Sequence, residues 1–210
     1  MGSRRRFLEL ALLFGAGPAL LALGPRWVVS LGILAIGVFC TVVLARDPTF
    51  PRADLVGLAG ARRGLGPVLA RTLPLGAALI VGVAALSSGP LLPRAHPLRW
   101  GSIMVLYPLS AGAQEIACRT YFFHRYGGLF RRRATRVAAS ALCFGWAHVA
   151  VNDLRAVVLA TAAGLVFAAT YERWRSTLLV SVEHALYGDL AFTAGLGSLF
   201  YSSARWVTWR

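Results

Sequence analysis

The sequence predicts an all-α protein, a polytopic transmembrane bundle of about seven spans, and three observations carry that reading. Of its 210 residues 57% are hydrophobic and 14% charged, whereas a soluble domain usually holds about 25% charged residues. The apolar residues gather into runs close to the roughly 20 residues a helix needs to cross a bilayer. The arginines fall between those runs: Arg4-Arg5-Arg6, Arg62-Arg63, Arg131-Arg132-Arg133 with Arg136, and Arg173 with Arg175. The net charge of +14 is therefore read as cytoplasmic positive charge orienting the helices in a lipid bilayer. No nucleic-acid partner is expected, because no separate basic domain exists.

The spans follow in order. The basic N-terminus precedes a first span over Phe7 to Leu23 and places it inside. Ser3 to Leu8 looks like a twin-arginine export signal, but the small-residue cleavage site that processing needs is poor near Gly24-Pro25. A second span covers Trp27 to Ala45. Arg46 to Arg71 reads as a cytoplasmic connection with an interfacial amphipathic piece, since Asp47-Pro48 and Pro51 break the chain. A third span runs from Leu73 to Leu86, and Ser87 to Arg99, with three prolines, reads as a stiff external loop.

The fourth span runs from Trp100 to Phe123, the fifth from Ala134 to Val151, the sixth from Leu154 to Tyr171 and the seventh from Thr177 to Leu196. One integral domain results: residues 1–99 supply membrane helices and the cytoplasmic connection, and 100–197 a helical core. Cys40, Cys118 and Cys143 lie inside apolar runs without a CxxC and read as small buried hydrophobes.

Three of these spans carry polar groups that a passive bundle has no use for. The fourth holds Gln114, Glu115 and Arg119. The fifth holds Phe144 to His148, with Asn152 beyond. The seventh holds Glu183, His184, Tyr187 and Asp189. Glu115 and Arg119 are four apart and share a helix face. Ionisable groups at membrane depth are costly and face a bundle interior or a wet cavity. At about 1.5 Å per residue, Glu115, His148 and His184 lie roughly 15, 20 and 12 Å from the cytoplasmic ends of their helices. They can therefore converge. One carboxylate and two imidazoles in a low-dielectric site can activate water for hydrolysis and stabilise an oxyanion. Taken singly, each histidine reads as an interhelical hydrogen-bond partner, Glu115–Arg119 as a structural ion pair, and Phe144 and Trp146 as packing. The coincidence on three helices favours function.

With these residues in view, the chain resembles the CPBP family of intramembrane proteases, which includes the CAAX endopeptidases and the bacteriocin-processing and Abi proteins. The family pattern is Glu-Glu-x-x-x-Arg, then Phe-x-x-x-His, then His-x-x-x-Asn or Asp. Here it reads Gln114-Glu115-Ile116-Ala117-Cys118-Arg119, Phe144 to His148, and His184 to Gly188. The likeness covers roughly Trp100 to Leu196. It implies an endopeptidase acting on a membrane-anchored protein or peptide. Glu115, Arg119, His148 and His184 would be catalytic, with Asn152 assisting and Glu183 as a reserve carboxylate. Gln114, Phe144 and Tyr187 are candidates for contact with substrate.

Two departures stand out. The family's usual general base is the first glutamate, and Gln114 holds its place. Gly188 stands where Asn or Asp is expected. Either Glu115 or Glu183 takes over as base or base-orienting carboxylate, or the chain is an inactive scaffold or chaperone. Two histidines and a carboxylate could ligate zinc, but no HExxH is present, and metal-independent chemistry without a cofactor is expected. A transporter would spread its charges along the bilayer normal, and here they cluster in one half. The arginine- and alanine-rich composition suggests a GC-rich bacterial genome, and with it a plasma or inner membrane.

Overall fold

The computed structural model describes residues 2–86, 97–194 and 196. Among the described residues every regular element is helical. The first rod is α1 (Ser3–Leu10), a π turn over Ala11–Ala16, and α2 (Gly17–Ala22). Pro18 sits at the start of α2 and cannot donate to the turn before it; the widened turn lies immediately upstream, as helix irregularities at proline commonly do. The Trp146 indole ties a later helix to this bulge by donating to the Gly15 carbonyl at 2.8 Å.

After the Gly24-Pro25 turn comes α3 (Arg26–Arg46). Asp47 closes it outside the membrane span. Its carboxylate accepts from the Thr49 amide at 2.9 Å and the Thr49 hydroxyl at 2.6 Å and meets His124 Nε2 at 3.0 Å. The Thr49 hydroxyl bond, then His124, holds this carboxyl well below the usual carboxylate range.

The helix α4 (Leu58–Leu86) corrects the expected connection. It starts fifteen residues before Leu73, within the stretch expected as a cytoplasmic connection, and runs through Pro67 and Pro74. The reason is a stripe at period four: Gly60, Gly64, Val68, Thr72 and Gly76 are all buried. Residues four apart share a helix face. A Cβ at Gly64 or Gly76 would lie 2.3 or 2.4 Å from the Leu179 or Leu190 side chain, so the small residues let a neighbouring helix approach closely. Arg62 and Arg63 stay on the exposed side, where their long stems can carry the charge away from the apolar face.

Of the expected external loop, residues 87–96 lie outside the described residues. Pro97 to Arg99 are already helical, opening α5 (Pro97–Glu115). Proline at a first helical position loses nothing, since that amide has no partner in the helix. The rod continues through a π turn, Ile116–Tyr121, into α6 (Phe122–Tyr126). Next come α7 (Arg133–Ala147), a 3₁₀ turn over His148–Val151, and α8 (Leu154–Trp174). The Asp153 carboxylate caps α8 by accepting from the Arg155 amide at 2.8 Å. Helix α9 (Thr177–Thr193) is capped by the Ser176 hydroxyl, which accepts from the Leu179 amide at 3.1 Å. It ends three residues before the expected Leu196.

Helices α7 and α8 pack at the distance Gly145 allows, since a Cβ there would lie 1.8 Å from Thr161 Oγ1. Large apolar side chains such as Leu12, Trp27, Val81, Leu109 and Leu154 stay on the outside, the face a bilayer would cover. Among the described residues four segments are long and apolar enough to cross a membrane: Trp27–Arg46, Arg52–Gly82, Arg133–Val151 and Leu154–Trp174. The first rod is divided by its π turn, and the 17-residue α9 falls short of the roughly 20 residues of a full span. Among the described residues the fold is an all-helical bundle, in which four helices are long and apolar enough to span a membrane.

Candidate active site

Glu115 is the last residue of α5, and Arg119 sits within the π turn that follows. Single π turns inside α-helices recur at functional sites. Both side chains have no solvent exposure, and Arg119 Nε meets Glu115 Oε2 at 3.1 Å. The other carboxylate oxygen, Oε1, accepts from His184 Nδ1 at 2.7 Å across the α5–α9 interface. Arg119 Nη2 donates to the Gly164 carbonyl of α8 at 3.2 Å. Its guanidinium also lies 4.3 Å from the Phe144 ring centroid and 5.5 Å from that of Phe167, so aromatic faces share in holding the buried cation.

His184 stacks on Phe167, with centroids 4.7 Å apart at 24°. It also meets Phe144 edge-on at 5.3 Å. His148 lies on another side of Phe144, at 4.8 Å, and its Nδ1 stands 2.8 Å from the Phe144 carbonyl oxygen. A carbonyl can only accept, so Nδ1 carries a proton, and in the neutral ring Nε2 then carries the lone pair. The site therefore contains one imidazole turned to act as a base through Nε2. A second is oriented through Nδ1 by a carboxylate that an arginine holds in place.

The expected residues divide accordingly. Glu115, Arg119, Phe144 and His184 are in contact, and His148 joins them through Phe144. Gln114 does not: its amide donates back to the Ser110 carbonyl at 3.3 Å and hydroxyl at 3.2 Å. Asn152 is exposed, adopts the left-handed conformation (φ 58°) that ends the 3₁₀ turn, and donates to the Ala22 carbonyl at 3.4 Å. Asparagine is a residue that tolerates that conformation. Tyr187 packs on Phe167 at 5.7 Å.

Glu183, the reserve carboxylate, is drawn elsewhere. It is fully buried, with Oε1 accepting from Arg71 Nε at 2.9 Å and Oε2 from the Thr170 hydroxyl at 2.5 Å; Arg71 Nη2 also contacts Thr170. This ties α4, α8 and α9 together and occupies both oxygens. Arg71 was missed because its segment read as a connection. The available signal was Glu183 itself, an intramembrane carboxylate that needed a cation.

The gap at Gly188 is filled by Tyr107 of α5. A Cβ at 188 would lie 1.9 Å from Tyr107 Cε1, 2.1 Å from Cζ and 2.2 Å from the hydroxyl oxygen. The Tyr107 ring lies over bare α9 backbone and meets His184 at 5.8 Å and Phe192 at 5.0 Å, edge-on in both cases. Among the described residues no three His, Cys, Asp or Glu side chains gather closely enough to hold a metal ion.

Residues 96–188 match the type II CAAX prenyl endopeptidase Rce1-like family. The match likens the helical core, and not the whole chain, to these endopeptidases. The Rce1-like stretch contains Glu115, Arg119, His148 and His184, and begins at the doorstep of α5. Curated proteins and solved structures give no match.

Proposed function

We propose that this Rce1-like protein is an intramembrane endopeptidase that hydrolyses a peptide bond of a membrane-anchored protein or peptide without a metal. His148 Nε2 takes a proton from water as the water oxygen attacks the scissile carbonyl carbon. The carbonyl π electrons move onto oxygen, and His184, aligned by Glu115, steadies that charge. Collapse of the tetrahedral species breaks the C–N bond, and the proton passes from His148 to the leaving amine. Glu115 is thus the orienting carboxylate, because His184 and Arg119 occupy its oxygens. Glu183 and Asn152 serve the fold. The N-terminus is cytoplasmic and the membrane a bacterial plasma or inner membrane. The observation that carries this reading is the 2.7 Å bond between Glu115 and His184, made by residues from separate helices with Arg119 behind them.

A second reading, an inactive scaffold that holds a membrane segment, draws support from Gln114. Its amide lies against its own helix and cannot serve as a base. Membrane proteomes of cells carrying wild-type protein, His184→Ala or no protein decide between them. Peptidase activity predicts a precursor that accumulates equally in the last two. A null strain whose phenotype His184→Ala rescues, without any change in processing, supports the scaffold.

A further inference from the structure

We infer that Tyr107 is a catalytic hydroxyl donor of this site, placed by the absence of a side chain at Gly188; the inference rests on the endopeptidase reading. Three observations carry it. The Tyr107 ring and hydroxyl occupy the volume that any side chain at 188 would need, with its Cβ 1.9 to 2.2 Å from three phenol atoms. Neighbours set the ring's position: His184 and Phe192 pack edge-on against it. Tyr107 is only half-buried, so the phenol is not sealed in the core.

The same rod, α5, places Glu115 two turns further on, where it holds His184 Nδ1. One helix therefore supplies both the group that orients His184 and a phenol ring packed edge-on against it. An O–H on a ring held edge-on against an imidazole is suited to donate to the oxygen that gains charge when water attacks a carbonyl. The phenol gives up no proton and forms no covalent bond. It donates a hydrogen bond to the oxyanion and relaxes when the C–N bond breaks. A ring that only filled space would need no hydroxyl.

The test uses full-length protein in proteoliposomes with a farnesylated peptide that carries a fluorophore and a quencher across the scissile bond. Tyr107→Phe keeps the ring and removes the donor. The expected result is a fall in kcat of about 100-fold, within the range for loss of one oxyanion donor, with KM and the unfolding midpoint unchanged. Gly188→Ala displaces the ring and is expected to lower kcat as well. Combining it with Tyr107→Phe should add little.

A kcat for Tyr107→Phe within threefold of wild type overturns the inference, as does a Tyr107→Ala variant faster than wild type, which would mark the ring as a plug. His184→Ala and Glu115→Gln run alongside. If wild type is no faster than these two, the endopeptidase reading fails and the Tyr107 role falls with it. If they are inactive while Tyr107→Phe is unimpaired, only the Tyr107 role fails.

Discussion

Glu115→Gln is the sharpest probe of the buried ion pair. Glutamine matches glutamate in shape but turns an NH₂ towards one of the two groups that Glu115 meets: His184 Nδ1, from which it accepts, or Arg119 Nε, with which it forms an ion pair. Arg119 then stays fully buried with its counter-charge gone. Both side chains are 0% exposed, so solvent screens nothing, and breaking such a pair from one side costs about 3–5 kcal/mol. That is a large share of the roughly 5–15 kcal/mol by which a folded domain is stable. Adding Arg119→Met removes the stranded cation and leaves an apolar side chain against Phe144 and Phe167. Such replacements are often neutral, so the double variant should recover most of the lost stability while remaining inactive. SDS-driven unfolding in mixed micelles measures the first quantity and peptide turnover the second. The reasoning fails if Glu115→Gln costs less than about 1 kcal/mol, or if Arg119→Met destabilises it further.

Arg71→Met should destabilise the bundle by about 2–3 kcal/mol, the low end for a buried pair because the Arg71 side chain is 38% exposed. Its kcat per folded molecule should stay within a few-fold of wild type, and a kcat loss like that of Glu115→Gln would return Glu183 to the chemistry. Gly145→Val forces a side chain into Thr161 and should cost about 2–3 kcal/mol by overpacking, read as a lower unfolding midpoint. The depressed carboxyl of Asp47, held by the Thr49 hydroxyl and His124, adds stability above the ordinary aspartate pKa of about 4 that is lost as pH falls through its lower folded value. The stability gap between wild type and Asp47→Asn should therefore be level from neutral pH to about 5 and close in stronger acid. Turnover should survive dialysis against 1,10-phenanthroline; loss on chelation with recovery on adding zinc would require a ligand set at this site.

Much of this was open to reading in one dimension. The helices follow from apolar runs, and the Glu115–Arg119 pair from the four-residue spacing of one helix, because both depend on geometry local to the chain. Measuring depth from the arginine clusters placed Glu115 and His184 near enough to meet. Helix α4 was read short because its small buried residues at period four were hidden among arginines and prolines. The prolines and Arg62-Arg63 lie off that stripe, where they do not interrupt the packing.

The sequence alone pointed to a helical membrane bundle in which Glu115, Arg119 and two histidines on separate helices could meet. Only the tertiary structure decided what Glu183 does, since no spacing along its own helix names a cation for it and Arg71 reaches it from another helix. It does so because a stripe of small residues brings α4 against α9, while the π turn carries Arg119 inward. The same holds at Gly188, where a missing side chain gains meaning only from the ring that another helix lays over it. Spacing along a helix is fixed by backbone hydrogen bonds, but partners between helices are chosen by how close their faces can come.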